Sequence, residues 1–143
     1  MKKKLIILII LLLLIIIPTA YYLISPVFRV IEVSDFMPSK SRTIFQGDFK
    51  PMAHEVEGKA LLIESDGKKI IRFEDFNTIN GPDLYIYLSS GLGNEDFVDL
   101  GRIKATKGDV NYDVPEGTDT SKYKHVLVWC RAFRVLFSYA ELL

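Results

Sequence analysis

Asn80-Gly81-Pro82-Asp83 runs directly into Leu84-Tyr85-Ile86-Tyr87-Leu88. The first four residues are turn formers. The next five alternate strictly, with Leu84, Ile86 and Leu88 on one face and Tyr85 and Tyr87 on the other. A turn feeding a short strand is therefore the local unit, and it recurs on both sides. Toward the C-terminus, Val98–Ile103, Asn111–Val114, His125–Cys130 and Phe133–Tyr139 read as strands. Toward the N-terminus, Ile44–Phe49, Gly58–Glu64 and Lys69–Phe73 do the same. Between the last two, Ser65-Asp66-Gly67-Lys68 makes a turn, with Asp66-Gly67 favouring a tight hairpin. No segment after Ile24 sustains a helical period. The expected fold is all-β, a β-sandwich or partly open barrel of about nine short strands. One N-terminal transmembrane helix is expected to precede it.

That helix is read from Leu5 to Ile24, where no residue is charged. About 20 residues at about 1.5 Å each span roughly 30 Å, the thickness of a bilayer's hydrocarbon core. Tyr21 and Tyr22 fall near the far interface, where amphipathic rings are favoured. Lys2, Lys3 and Lys4 precede the run and favour a cytoplasmic N-terminus, which sends the C-terminal domain out of the cytoplasm at the cell membrane. A core helix is the weaker reading, because Leu5–Ile17 is apolar on every face. A cleaved signal peptide is the stronger rival. Pro18-Thr19-Ala20 is a poor cleavage site, and no Cys follows the run to make a lipobox, so an uncleaved signal-anchor is the preferred reading.

The expected organisation is an anchor at 1–24, a juxtamembrane linker at 25–43 and a β-domain at 44–143. The linker holds Pro26 and Pro38 and one expected short element, Phe28–Val33; its length would let the domain stand off the lipid. The domain is long enough to fold on its own burial. Formal net charge is zero over 143 residues, and the Lys triplet accounts for every charge before the apolar run. The remainder is therefore weakly acidic, which argues against a nucleic-acid partner. No phosphate loop, dinucleotide fingerprint, Gly-x-Ser-x-Gly elbow or internal repeat is present.

Few residues carry chemistry. Cys130 is the one cysteine, so no intrachain disulfide forms. A single thiol in an oxidising compartment stands out. Alternation puts Val126, Val128 and Cys130 on one face and Leu127 and Trp129 on the other. Two readings stay open: a buried apolar residue, or a redox thiol or soft ligand with Arg131 beside it favouring the thiolate. His54 lies in a loop, in Met52-Ala53-His54-Glu55, and is either a solvated histidine or a ligand to a metal or haem iron. His125 alternates with Leu127 and Trp129 and packs at a strand start. One Cys and two scattered His do not make a zinc site. The carboxylate pairs Glu74/Asp75 and Glu95/Asp96 read as solvated charge.

Several ordered blocks, Ile44 to Leu143, resemble a known family. They are Gly47-Asp48-Phe49, His54 and Gly58-Lys59-Ala60; Phe76 with Gly81-Pro82-Asp83-Leu84-Tyr85-Ile86-Tyr87-Leu88; Leu100-Gly101 with Lys107-Gly108-Asp109-Val110-Asn111-Tyr112-Asp113-Val114-Pro115; Val128-Trp129-Cys130-Arg131-Ala132-Phe133; and Phe137-Ser138-Tyr139-Ala140-Glu141-Leu142. Together they are similar to the "DM-thirteen" domain, associated with DOMON domains in Skeletor-like and Knickkopf-like surface proteins. The resemblance implies a β-rich electron-transfer module. It implies that Cys130 is the family's characteristic cysteine, acting as a naked thiol or as a ligand to a prosthetic group such as haem, with His54 the next candidate. It also implies a redox partner protein at the cell surface. Without Cys-x-x-Cys-His, covalent haem attachment is not expected. Gly81 and Pro82 are expected to fix the turn before Leu84, Asp83 to cap it, and Trp129 to anchor the core. A second function class stays open, a non-catalytic surface module that binds a protein or glycan.

Overall fold

Lys2–Ile24 forms one α-helix, α1, in the computed structural model, which describes residues 2–143. Pro18 lies inside it, and the Thr19 hydroxyl donates to the Ile15 carbonyl at 2.8 Å. None of its side chains is buried. It is long and apolar enough to cross a membrane, a signature that an anchor shares with a signal sequence. A short 3-10 turn, Ser25–Phe28, follows.

Everything after that turn is β-structure. The strands are β1 (Glu32–Ser34), β2 (Arg42–Pro51), β3 (Val56–Ser65), β4 (Lys68–Thr78), β5 (Leu84–Ser89), β6 (Phe97–Arg102), β7 (Lys107–Asp113), β8 (His125–Cys130) and β9 (Val135–Glu141). They join in one curled sheet of order β1-β7-β4-β3-β2-β9-β8-β5-β6. Only β1 runs parallel to its neighbour; the other pairs are antiparallel. The expected all-β class and strand count are met.

β2 makes the curl. Its first part pairs with β3, and its end, Phe49–Pro51, pairs with β9. Gly47 sits at the change of partner, where a Cβ would overlap the Glu141 carbonyl oxygen. Glycine is therefore required for the two backbones to approach. The fold brings the halves of the sheet face to face, and their inner residues form one core. Phe49, Phe73 and Phe76 pack ring against ring there, with centroids 4.8–4.9 Å apart. Aromatic pairs at that spacing stabilise beyond the area they bury.

The β3–β4 hairpin has the tight turn expected of Asp66-Gly67, with φ of 49° and 76°. β4 runs past the expected end at Phe73 because of a bulge. Asp75 adopts φ 51°, the register shifts between Phe73 and Phe76, and both rings face the core. The extra residue breaks the period of two, which hides the continuation from sequence. Arg131–Arg134 forms a turn, so the last strand starts at Val135 and not at Phe133.

The segment expected as linker is partly built into the sheet. β1 pairs with β7, and Asp35 extends the contact: its N–H donates to the Asp109 carbonyl, and its carboxylate accepts the Asn111 N–H, both at 2.9 Å. Arg72, only 4% exposed, donates to the Asp35 carbonyl, Asn111 Oδ1, Glu74 and Asp109 at 2.8–3.1 Å. Its full set of partners is what makes burying this cation tolerable.

Candidate functional site

Three connections meet where the chain from α1 joins the sheet: 52–55 between β2 and β3, 79–83 between β4 and β5, and 131–134 between β8 and β9. The first is pinned to β9. The N–H groups of Met52 and His54 donate to the Phe137 carbonyl at 3.1 and 3.2 Å. That anchoring lays the half-buried His54 ring against the Phe137 ring, with centroids 4.1 Å apart and planes tilted 55°.

The second connection packs onto the same ring. A Cβ on Gly81 would stand 3.0 Å from Phe137 Cζ and 3.1 Å from Leu84 Cδ2. Glycine thus allows the turn to close on the core, as expected of Gly81. The cap is Asn80, however, and not Asp83. Asn80 Oδ1 accepts the Gly81 N–H at 2.8 Å, while the Asp83 carboxylate pairs with Arg102 at 3.2 Å.

Cys130 ends β8 with no exposed surface. Its cross-strand partners are Leu84 and Val135. The inner face carries Val126, Val128 and Cys130, as alternation predicts. Phe137 and Leu84 belong to the same buried cluster as Cys130, and both approach Gly81 of the second connection. His54, in the connection before β3, and Cys130, in front of the connection after β8, are thereby brought to one end of the sheet. Ser138, fully buried opposite Val128, has a hydroxyl with no hydrogen-bond partner among the described residues.

Arg131 does not face the thiol. It projects from the outer face, donating to the Tyr87 hydroxyl and to Asp99, each at 2.6 Å, with its guanidinium 3.4 Å from the Tyr85 ring centroid. Desolvation lowers its pKa, but the Tyr87 and Asp99 hydrogen bonds and charges together outweigh that and hold it above the ordinary arginine value. The expected Arg131–thiolate interaction is thus replaced by a stacked ion pair. Trp129 is on that outer face too. It joins Tyr87 and Leu127 in a second apolar cluster and does not anchor the main core. Sequence reasoning missed this cluster and the packing of Phe137 against His54 and Gly81. Clean alternation in β8 could have revealed the cluster. The β8–β9 register shift next to Phe137 hides the other.

Beside His54 is an opening of about 270 Å³, lined by Leu23, Ile79, Pro82, Phe133 and Phe137 among others. A larger one, about 570 Å³, lies at the opposite end along Lys68, Lys69 and Asp113–Thr118, away from both candidate residues. Cys130 does not line this opening, so the two candidate ligands for a haem iron do not face one space. Among the described residues no group of three or more His, Cys, Asp or Glu could hold a metal ion. What the arrangement offers is a fully buried thiol and, at the same end of the sheet, a half-buried imidazole packed on Phe137.

Comparison with known proteins gives one family. A family model described as "Electron transfer DM13" matches residues 48–142, more than half of the chain. No curated protein and no solved structure matches.

Proposed function

The chain belongs to the electron-transfer DM13 family, and on that membership we propose that it is a membrane-anchored extracytoplasmic redox module centred on Cys130. The observation that carries the proposal is the placement of the thiol: fully buried, at a strand end, paired across the sheet with Leu84 and in one core cluster with Phe137. Shielding of this kind suits a thiol that passes electrons. An electron needs no open channel, whereas the reagents that drive sulfur to irreversible oxidation states do. On losing one electron to a one-electron acceptor of a partner protein, the thiol also gives up its proton. His54, half-buried at the same end of the domain, is the base proposed to receive it when that end opens. The thiyl radical left behind is reduced to the thiol by the returning electron and proton. Because Cys130 does not line the opening beside His54, the thiol is read as acting without a macrocycle.

Cys130→Ser in the full-length chain tests this. The variant should keep its β-rich circular dichroism and lose reversible one-electron oxidation by a soluble metal-complex oxidant. A serine variant that exchanges electrons as the parent does would overturn the reading.

One observation favours a second reading, a binding module for a protein or glycan. The outer face of β5, β6, β8 and β9 gathers Tyr85, Tyr139, Phe97 and, from the turn after β8, Arg131 in half-buried positions. Aromatic residues and arginine of this kind are enriched at binding hot spots. Tyr85→Ala would then abolish partner binding, while Cys130→Ser would leave it unchanged.

A further inference from the structure

We propose that the end of the β-domain built from 52–55, 79–83 and 131–134 docks into the headgroup region of the bilayer that α1 enters. The proposal rests on the reading of α1 as a membrane anchor.

The tether is short. α1 ends at Ile24 and the 3-10 turn takes up Ser25–Phe28. Ile31 is already held by Thr106: the Thr106 N–H donates to the Ile31 carbonyl at 2.8 Å, and the Ile31 N–H donates to Thr106 Oγ1 at 2.9 Å. At about 2.0 Å per residue in the turn and about 3.4 Å beyond it, this stretch reaches roughly 20 Å at most. The domain cannot stand off as a free linker over 25–43 would allow.

The end so held is apolar at its tips. Met52 is 54% exposed, Ile79 40% and Phe133 55%, one on each connection, and Phe28 and Val30 of the tether are more exposed still. Leu23, in the last turn of α1, lines the same opening as His54, Ile79 and Phe133. Helix end and loop tips therefore share one side of the domain. The opposite end finishes in Asp66, Gly67, Glu116, Asp119 and Lys122, and its exposed apolar side chains, Phe36, Met37, Leu92 and the C-terminal Leu143, are scattered over separate segments away from α1. Three apolar tips beside a membrane helix match the headgroup–acyl boundary, where such side chains lose water without losing hydrogen bonds. Exposed Arg29 and Arg134 stand on the same segments and suit lipid phosphates, with Glu55 the opposing exposed acid. Docked in this way, the opening beside His54 faces lipid.

The test uses the full-length chain in vesicles of phosphatidylcholine and phosphatidylglycerol. An environment-sensitive fluorophore is placed on Phe133→Cys, Ile79→Cys or Glu116→Cys. The unsubstituted chain gives the background from the buried native thiol. Flotation with the vesicles reads the anchor separately. Emission from positions 133 and 79 should shift to the blue, with severalfold more quenching by nitroxide-headgroup lipids than at 116. Equal quenching at all three positions in a chain that floats would overturn docking and leave the anchor standing. A chain that does not float would overturn the anchor and the docking with it.

Discussion

The imidazole of His54 and the ring of Phe137 lie 4.1 Å apart between centroids, and the Phe137 carbonyl accepts the His54 N–H. Loop and ring are thus one unit. Phe137→Leu should loosen it at a cost of about 1–2 kcal/mol. Cys130 should then be alkylated faster than the loss of global stability explains. Alkylation rates compared with amide exchange of the slowest core residues would check this. An unchanged rate would mean that Phe137 does not cover the thiol.

Gly47 permits the close approach of β2 and β9 at Glu141. Gly47→Ala forces the two backbones apart and should destabilise by about 1–3 kcal/mol, the usual range for overpacking. Gly91, with open space around its Cβ position, is the control, and its alanine variant should stay within about 0.5 kcal/mol of the parent. Urea midpoints for the two variants decide the matter.

Tyr112 is fully buried, and its hydroxyl accepts the Lys104 N–H at 2.9 Å. Burial pushes its pKa from 10.0 up to about 12. The folded state therefore holds the phenol proton more tightly than the unfolded state does. This contribution is fully present below pH 10 and is lost as pH rises toward 12, a total of about 2–3 kcal/mol. Tyr112→Phe should cost about 1 kcal/mol at neutral pH through the lost acceptor. It should also flatten the alkaline fall in stability, as seen in melting temperatures measured against pH.

Arg72 joins Glu74, Asp109 and Asn111 of the sheet to the Asp35 carbonyl. Arg72→Met leaves two carboxylates without this partner and should destabilise by about 3 kcal/mol. The N–H groups of Asp35 and Asn111 should exchange faster, marking release of the segment after β1. Glu74 adds a pH signature. The Arg72 hydrogen bond lowers its pKa, against burial and with help from Lys59. That stability is present above the ordinary glutamate pKa and is lost as pH falls through the lowered one. The variant's acid transition should be correspondingly weaker.

The sequence alone determined those features that depend on local period and local turn chemistry. Strict alternation placed Leu84, Ile86 and Leu88 inward, and Val126, Val128 and Cys130 likewise. Asp66-Gly67 specified its own turn through φ values that few other pairs adopt. The charge-free run to Ile24 specified a helix by length and apolarity. Other features were decided by partners far away in the chain. The β4 bulge at Asp75 and the register shift between β8 and β9 break the period of two, so Phe76 and Phe137 could not be assigned to the core by counting. Pairing of β1 with β7 drew in a segment whose composition reads as linker, because its hydrogen bonds go to residues some 75 positions on. The placing of His54 and Cys130 at one end of the sheet depends on which strands are neighbours. No period within a strand encodes that order; it follows from the curl at Gly47, where β2 leaves β3 for β9.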